Sequence, residues 1–313
     1  MRVLLTGSTG MVGRNILEHP CFHEFEILTP NRSEVDLLDR AQVRKYFTLH
    51  PIDLVIHAAG VVGGIMANIN APVQFLVDNT DMARNLIMCS YEAGVSRFIN
   101  LGSSCMYPCN RSGELTEELL MDGPLEPTNE GYALSKIFAA RLCQYLCHEH
   151  PGLHYKTLIP SNLFGRWDHF SCGNKSHLIA SVFDKISVAQ RTHTNEVVIW
   201  GAGNVRREFM YASEVADAIF WAIDHIEQLP DVLNVGTGVD YTINEYYLAV
   251  ADVFKYEGKF LHDTSKPEGM ARKLLDVSKL TSLGWRCSTN LREGIRKTYE
   301  YYCEQNLHSV STS

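Results

Sequence analysis

The chain has no basic block anywhere along its 313 residues. Its 28 Lys and Arg face 36 Asp and Glu, a formal charge of −8. Nucleic acid and anionic membrane surfaces select for the opposite balance, so neither is an expected partner. No run approaches the ~18 uninterrupted apolar residues that a membrane span needs. The nine cysteines are odd in number and scattered without a pairing framework, which suits reduced thiols in a cytoplasm. Cys143 and Cys147 stand four apart with no second pair nearby, so no metal is assigned. The N-terminus reads straight from Arg2-Val3-Leu4-Leu5 into a glycine turn, without the layout of a leader. A soluble cytoplasmic protein of two lobes is expected.

What is present is an alternation. Val3-Leu4-Leu5, Glu26-Ile27-Leu28, Leu54-Val55-Ile56, Phe98-Ile99-Asn100-Leu101 and Thr157-Leu158-Ile159 are mostly continuous apolar runs, as parallel strands buried on both faces require. Helical patterns near 11–19, 40–50, 72–93 and 132–150 separate them. This predicts an α/β fold, a Rossmann-type doubly wound parallel sheet with a smaller, discontinuous α/β substrate-binding lobe. A helix from about Ser176 to Val188, a strand at Val197-Val198-Ile199-Trp200, a short strand at Leu233-Asn234-Val235-Gly236 returning to the sheet, and a helix–strand–helix run over 240–306 follow. The expected boundaries are 1–165 with about 205–240 for the dinucleotide lobe, about 166–204 and 241–306 for the second lobe, and a flexible tail over 307–313.

Gly7-Ser8-Thr9-Gly10-Met11-Val12-Gly13 follows the first strand and opens the first helix. Gly7 permits the turn, Gly10 lets backbone approach a pyrophosphate, and Gly13 lets helix and strand pack closely. Amides at the helix start would hold the phosphates. The position of the motif, more than the glycines themselves, marks a dinucleotide site. The second strand ends Leu28-Thr29-Pro30-Asn31-Arg32, with no carboxylate before Glu34 to accept from a ribose hydroxyl. Arg32 could pair instead with a 2′-phosphate, helped by Arg14, which favours NADPH. Both arginines could also be solvated surface charges.

Gly102-Ser103-Ser104-Cys105 closes the fourth strand-like run, and Tyr132-Ala133-Leu134-Ser135-Lys136 lies in a helical pattern. Tyr132 and Lys136, four apart, share a helix face. A phenol with a reference pKa of ~10 needs help to trade protons near neutrality, and a neighbouring ammonium together with the positive charge of the nicotinamide is expected to lower it. Ser103 can hold the reacting oxygen beside it.

The glycine trio, the serine and Tyr-x-x-x-Lys together resemble the extended short-chain dehydrogenase/reductase superfamily, of the NAD-dependent epimerase/dehydratase kind, which acts mainly on nucleotide sugars. The resemblance covers nearly the whole chain. Val62-Gly63-Gly64-Ile65, Leu101-Gly102-Ser103-Ser104-Cys105-Met106-Tyr107-Pro108, Leu125-Glu126-Pro127-Thr128-Asn129-Glu130, Pro160-Ser161-Asn162-Leu163-Phe164-Gly165 and Arg272-Lys273-Leu274-Leu275-Asp276 narrow it to the branch that epimerises and reduces GDP-4-keto-6-deoxy sugars.

The resemblance implies a division of labour. Ser103, Tyr132 and Lys136 serve reduction at carbon 4, while Cys105 and His177 exchange protons at the flanking carbons 3 and 5, which the ketone acidifies. A thiol of reference pKa ~8.5 and an imidazole of ~6.5 suit that work. It further implies that Thr9, Met11, Val12, Asp36, Leu37, Leu101, Gly102, Pro160, Asn162 and Leu163 join the glycines at NADPH. Arg207 would meet the diphosphate and Lys185 and Trp200 line the substrate pocket, with Glu268 and Lys273 as further substrate candidates. It implies a homodimer through the helices near 72–93 and 132–150. Arg166-Trp167-Asp168-His169-Phe170 stands where the family often has Pro-His-Asp-Asn-Phe, Ser8-Thr9 where close bacterial forms have His-Arg, and Val61 in place of a lysine. The first departure lies near the expected sugar pocket, so a related 4-keto sugar, a 3,6-dideoxyhexose or a 6-deoxyheptose, stays open. A non-catalytic dinucleotide-binding protein is a distant alternative, since such proteins usually lose the tyrosine or lysine.

Overall fold

A computed structural model describes residues 1–170, 177–266 and 269–310, backbone only from 306 onward. Five strand–helix alternations open the chain. β1 (Arg2–Thr6), β2 (Glu26–Leu28), β3 (Leu54–His57), β4 (Arg97–Leu101) and β5 (His154–Pro160) alternate with α1 (Met11–Leu17), α2 (Arg40–Leu49), α3 (Ile65–Asn70), α4 (Pro72–Glu92) and α5 (Glu130–Glu149). Then come β6 (Asn162–Phe164), α6 (Leu178–Arg191), β7 (Glu196–Trp200), β8 (Arg206–Arg207), β9 (Phe209–Tyr211), α7 (Ala212–Asp224) and β10 (Val232–Val235). The chain ends with β11 (Tyr241–Thr242), α8 (Ile243–Phe254), β12 (Lys259–Asp263), β13 (Arg272–Lys273), α9 (Ser278–Ser282) and α10 (Leu291–Val310).

The central sheet is parallel throughout, in the order β10-β5-β4-β3-β1-β2. All four residues of β3 are buried, as are all four of β10. That matches the continuous apolar runs, because helices cover both faces. On one face Val3, Leu5, Ile56 and Ile99 pack with Ile16 of α1 and Val215, Ile219 and Phe220 of α7. On the other, Leu4, Val55 and Phe98 meet Val43, Leu86 and Ala139 of α2, α4 and α5. The chain runs from β1 to β2 on one side and then returns to β3 on the other. That reversal is the switch point, and ligands of such sheets bind outside the carboxyl ends of the strands there.

The second lobe has its own core, in which Phe183 and Ile186 of α6, Val197 and Ile199 of β7, Tyr246 and Val250 of α8 and Ile295 of α10 interlock. Three features differ from the sequence expectation. Helix α7 was not anticipated, although Val215, Ile219, Phe220 and Ile223 carry helical spacing. The stretch expected wholly in the second lobe does not stay there, since Leu280 and Trp285 are buried in the first core. The apolar spacing of 277–285 fits either lobe, and the strand exit at Leu275 steers it back. Helix α10 continues to Val310, through positions where the tail was expected to begin. No helix among the described residues is long and apolar enough to cross a membrane.

Candidate active site

The glycine loop is a cradle that side chains would fill. Gly7 adopts φ +73°, the left-handed region that favours glycine. A Cβ there would stand 2.6 Å from the Ala59 nitrogen, and one on Gly13 only 2.2 Å from the Gly7 oxygen. Gly10 is different: its Cβ would meet protein only at ordinary range, 3.4 Å from the Gly7 oxygen. It caps α1 with no side-chain hydrogen bond, which leaves backbone amides at Met11 and Val12 facing outward for an anion. The residues present fit a dinucleotide pyrophosphate.

The two arginines expected at a 2′-phosphate part company. Arg14 donates to the Thr9 carbonyl at 3.0 Å and lays its guanidinium 4.2 Å from the centre of the Trp167 ring. Arg32 is 79% exposed, with Asp36 3.6 Å away. Asp36 also accepts from the Leu38 amide at 3.1 Å, and Leu37 packs against the sheet's second face.

At the end of β4, Gly102 donates to the Leu158 carbonyl at 2.8 Å. A Cβ on it would press on Met106 Sδ at 3.0 Å and Ile159 at 3.1 Å, so the chain turns tightly into the single turn Ser104–Met106. Ser103 starts that turn, with its Oγ accepting from the Cys105 amide at 3.4 Å, and its hydroxyl favours the ionised form of the Tyr132 phenol. Lys136, 8% exposed, donates from Nζ to the Leu101 carbonyl at 2.9 Å and lies 5.7 Å from the centre of the Tyr132 ring. The sequence pattern thus brings Leu101, Ser103, Tyr132 and Lys136 together.

Tyr132 is pushed above the ordinary phenol range by burial and then by the Cys105 thiolate charge, with only the Ser103 hydrogen bond opposing. Lys136 is itself desolvated, its pKa brought down to about 8, and one of its three N–H donors goes to the Leu101 carbonyl. The phenol therefore keeps its proton and is poised to donate it. Burial also raises the Cys105 thiol, against the ammonium of Lys273, the Ser103 hydrogen bond and the ammonium of Lys136.

Two residues beside this couple escaped the sequence reading. His57 is fully enclosed, shares a 3.0 Å hydrogen bond with Thr6 Oγ1, and is held neutral, down to about 3, first by burial and then by the Lys136 charge. Asn79 accepts from the Val61 amide at 2.7 Å and donates to the Val61 carbonyl at 3.0 Å, fixing the turn whose Gly60 lies against Lys136. A buried asparagine in an otherwise amphipathic helix was the available signal.

In the second lobe Trp200 is 59% exposed, and the ammonium groups of Lys185 and Lys266 each stand 5.7 Å from its ring centre. Lys185 also donates to the Val198 carbonyl at 2.9 Å and the Tyr247 hydroxyl at 3.1 Å. Arg207 and Lys273 are paired in register where β8 and β13 run parallel. Asn162 donates to the Glu208 carbonyl at 3.2 Å, Pro160 pairs with Val235 at the sheet edge, and Leu163 packs on the first core. His177 stands exposed at the start of α6, with no side-chain hydrogen bond to it, and burial raises the nearby Asp168 carboxyl. Its relation to Cys105 is not drawn by any contact among the described residues. Glu268 lies outside the described residues.

A phosphate cradle at the switch point, with a tyrosine–lysine couple beside it, defines a dinucleotide-dependent enzyme of the short-chain dehydrogenase kind. The chain belongs to the NAD dependent epimerase/dehydratase family, whose model matches residues 3–236. It is 48% identical over 305 residues to the GDP-L-colitose synthase of Yersinia pseudotuberculosis, covering 97% of this chain and 99% of the relative. It is 44% identical to the GDP-L-fucose synthase of Azorhizobium caulinodans, covering 97% of each. Among solved structures, a GDP-mannoheptose C4 reductase from Campylobacter jejuni with NADP bound superposes with a TM-score of 0.86 at 28% identity, covering 96% of this chain and 98% of that one.

Proposed function

We propose that this enzyme uses NADPH to epimerise a GDP-4-keto-6-deoxy-hexose at carbons 3 and 5 and to reduce its 4-keto group, most simply converting GDP-4-keto-6-deoxymannose to GDP-L-fucose. The observation that carries the reading is the half-buried Ser103 and Tyr132 gathered with the buried Lys136 and the Cys105 thiol. NADPH, when bound, supplies the hydride for carbon 4. Gly7, Gly10, Gly13 and the start of α1 would hold its pyrophosphate, Arg32 its 2′-phosphate, and Lys136 its ribose. Ser103 hydrogen-bonds the keto oxygen, and the protonated Tyr132 gives that oxygen its proton. Cys105 removes a proton from carbon 3 or 5, and His177 returns one on the opposite face. Charge forming on the keto oxygen is stabilised by the same two hydroxyls, so one oxygen site serves both half-reactions. Arg207 meets the diphosphate, and Trp200 with Lys185 offers a flat wall and a cation to the remaining nucleotide.

A second reading keeps the machinery and changes the sugar. The 48% identity to the colitose synthase favours a 3,6-dideoxy substrate, on which only carbon 5 is inverted. Incubation of both 4-keto sugars with NADPH in deuterated water separates the two: absorbance reports reduction, and NMR reports which carbons take up deuterium. No loss of absorbance with either sugar would overturn the function.

The enzyme works in the cytoplasm as a homodimer. Ile65, Ile69, Val73, Val77, Leu134 and Phe138 are exposed apolar residues on α3, α4 and α5, a row suited to a second copy of the same surface. Its acidic surface suits neither nucleic acid nor membrane.

A further inference from the structure

We infer that Glu208 is a positioning residue, the buried carboxylate that holds the two lobes in register and so sets Arg207 against the coenzyme side of the fold. The inference goes beyond the chemistry proposed above and rests on it only for placing the diphosphate at Arg207.

The chain passes between the two main cores repeatedly. Leu163 packs on the first and Phe164 is buried in the second, whereas Phe209 lies in the second and Met210 in the first. Further passages run from Val235 to Ile243, and from β13, paired to β8, to Leu280. Glu208, 1% exposed, is tied to all four. Its amide donates to the Lys273 carbonyl at 3.2 Å, and its carbonyl accepts from Asn162 Nδ2 at 3.2 Å. One carboxylate oxygen accepts from the amides of Thr237 and Gly238 at 2.5 and 3.0 Å and from the Thr237 hydroxyl at 3.2 Å. The other accepts from the Leu275 amide at 2.9 Å. A fifth passage, from Trp285 to Ile295, is held separately by Glu214, which accepts from the Ser288 amide at 2.8 Å.

The carboxylate has no cation. Among the described residues no ion pair includes it, and the nearby Arg206 and Arg272 pair with Asp240 instead. A dry negative charge held by N–H and O–H donors alone is a fastening of fixed direction. Gly236 lies so close that a Cβ there would stand 2.3 Å from Glu208 Oε1, so a side chain at 236 would evict the carboxylate. Arg207, the preceding residue, is anchored in turn to the second core, its carbonyl accepting from the Tyr246 hydroxyl at 2.7 Å. The proposed diphosphate contact and Asn162, assigned to NADPH by resemblance, therefore meet at one residue. A misplacement of ~1 Å between reacting groups costs about 10²-fold in rate, so slack at Glu208 reaches the ketone.

The test uses two variants of the full-length chain. Glu208→Gln keeps the shape but puts an NH₂ where an oxygen accepted, so at least one amide faces a donor. Gly236→Ala leaves Glu208 in place and pushes its carboxylate aside. In both, well below melting, NADPH and GDP should each bind with nearly wild-type affinity, while kcat per coenzyme-binding molecule falls about 100-fold at little change in KM. Energy transfer from Trp200 to bound NADPH, with Trp200→Phe subtracted, should shift in the same variants with no sugar present. Unchanged transfer in variants that bind NADPH overturns the inference. So does an affinity for NADPH or GDP that falls in step with kcat, which would make the residue part of a binding site. If neither variant folds, hydrogen exchange on the wild type decides: the amides of Thr237, Gly238 and Leu275 should open together, and Leu275 opening on its own overturns the inference. A mistaken sugar silences turnover in the wild type as well, and leaves the energy transfer and the exchange untouched.

Discussion

Lys136 hydrogen-bonds the carbonyl of Leu101 at 2.9 Å, pinning the middle of α5 to the last residue of β4. One bond therefore sets the distance between the tyrosine-bearing helix and the serine-bearing loop. It also holds a cation in a dry place, where its pKa falls to about 8 from 10.5 because of burial. The unfolded chain binds that proton more tightly than the folded one, so the charged lysine costs stability below about 8, and the cost vanishes as the pH climbs to 10.5. The gap is worth roughly 3 kcal/mol at most, against about 1–3 kcal/mol for an unpaired Leu101 carbonyl in Lys136→Met. The net at pH 7 is small, and the signature is its slope. Calorimetry should find Lys136→Met losing stability relative to wild type as the pH rises from 8 to 10.5, with reduction abolished throughout. A difference that is flat in pH would mean the ammonium is solvated.

Tyr132→Phe removes a proton donor and little else, since the ring keeps its edge-on contact with Phe75, centroids 6.2 Å apart. Reduction should fall by about 10²–10⁴-fold. NADPH binding, followed by fluorescence, should persist, and deuterium exchange beside the ketone should continue more slowly on Cys105 and His177, with Ser103 alone holding the keto oxygen. Loss of exchange together with reduction would place the phenol in both half-reactions as an obligate acid.

The two loop glycines should fail differently. In Gly13→Ala the new carbon collides with the Gly7 oxygen at 2.2 Å, so the cradle must open and the protein should melt several degrees lower. In Gly10→Ala the new carbon meets protein at 3.4 Å and faces the ligand side. That variant should melt like wild type yet bind NADPH at least tenfold more weakly. Equal melting losses in both would mean Gly10 serves packing alone.

Apolar side chains on the outer face of α4 have water where their neighbours have protein. Val73 is 72% exposed, and aspartate there costs the isolated chain almost nothing. If two copies meet on this face, Val73→Asp buries a charge in the interface and should halve the mass seen by light scattering without changing the melting of the monomer. A monomeric wild type would end the dimer reading.

Periodicity exposed the sheet because its strands are buried on both faces, so Leu54-Val55-Ile56 and Leu233-Asn234-Val235 read as strands without any tertiary information. Spacing likewise exposed Tyr132 with Lys136, since four residues on a helix is already a distance. Three things were hidden. Desolvation raises the Tyr132 phenol before any coenzyme charge acts on it, and desolvation is a property of the whole packed site. Arg14 sits beside the glycine loop in sequence, yet its guanidinium lies on Trp167 from a loop about 150 residues away, which no local pattern encodes. His57 closes an apolar run and Asn79 stands in the polar stretch Asp78-Asn79-Thr80-Asp81, and their partners, Thr6 and the Val61 backbone, become visible only when strands and turn are assembled.

Coenzyme preference follows from where those arginines ended up. Arg14 is committed to the Trp167 ring at 4.2 Å and to the Thr9 carbonyl. Arg32 is 79% exposed, and Asp36 at 3.6 Å is its ion-pair partner among the described residues. An exposed pair at that distance holds the guanidinium weakly, so the planar fork is free to take a 2′-phosphate in its place. Charge-assisted hydrogen bonds of that sort are worth about 1.5–3 kcal/mol, which is roughly ten- to hundredfold in an affinity ratio. Arg32→Ala should therefore weaken NADPH by that factor and leave NADH nearly unchanged, whereas Arg14→Ala should affect both coenzymes alike by loosening Trp167. Measured dissociation constants for the two coenzymes decide it. If Arg32→Ala lowers both affinities together, the 2′-phosphate is read by some other group and Arg32 is only a surface charge.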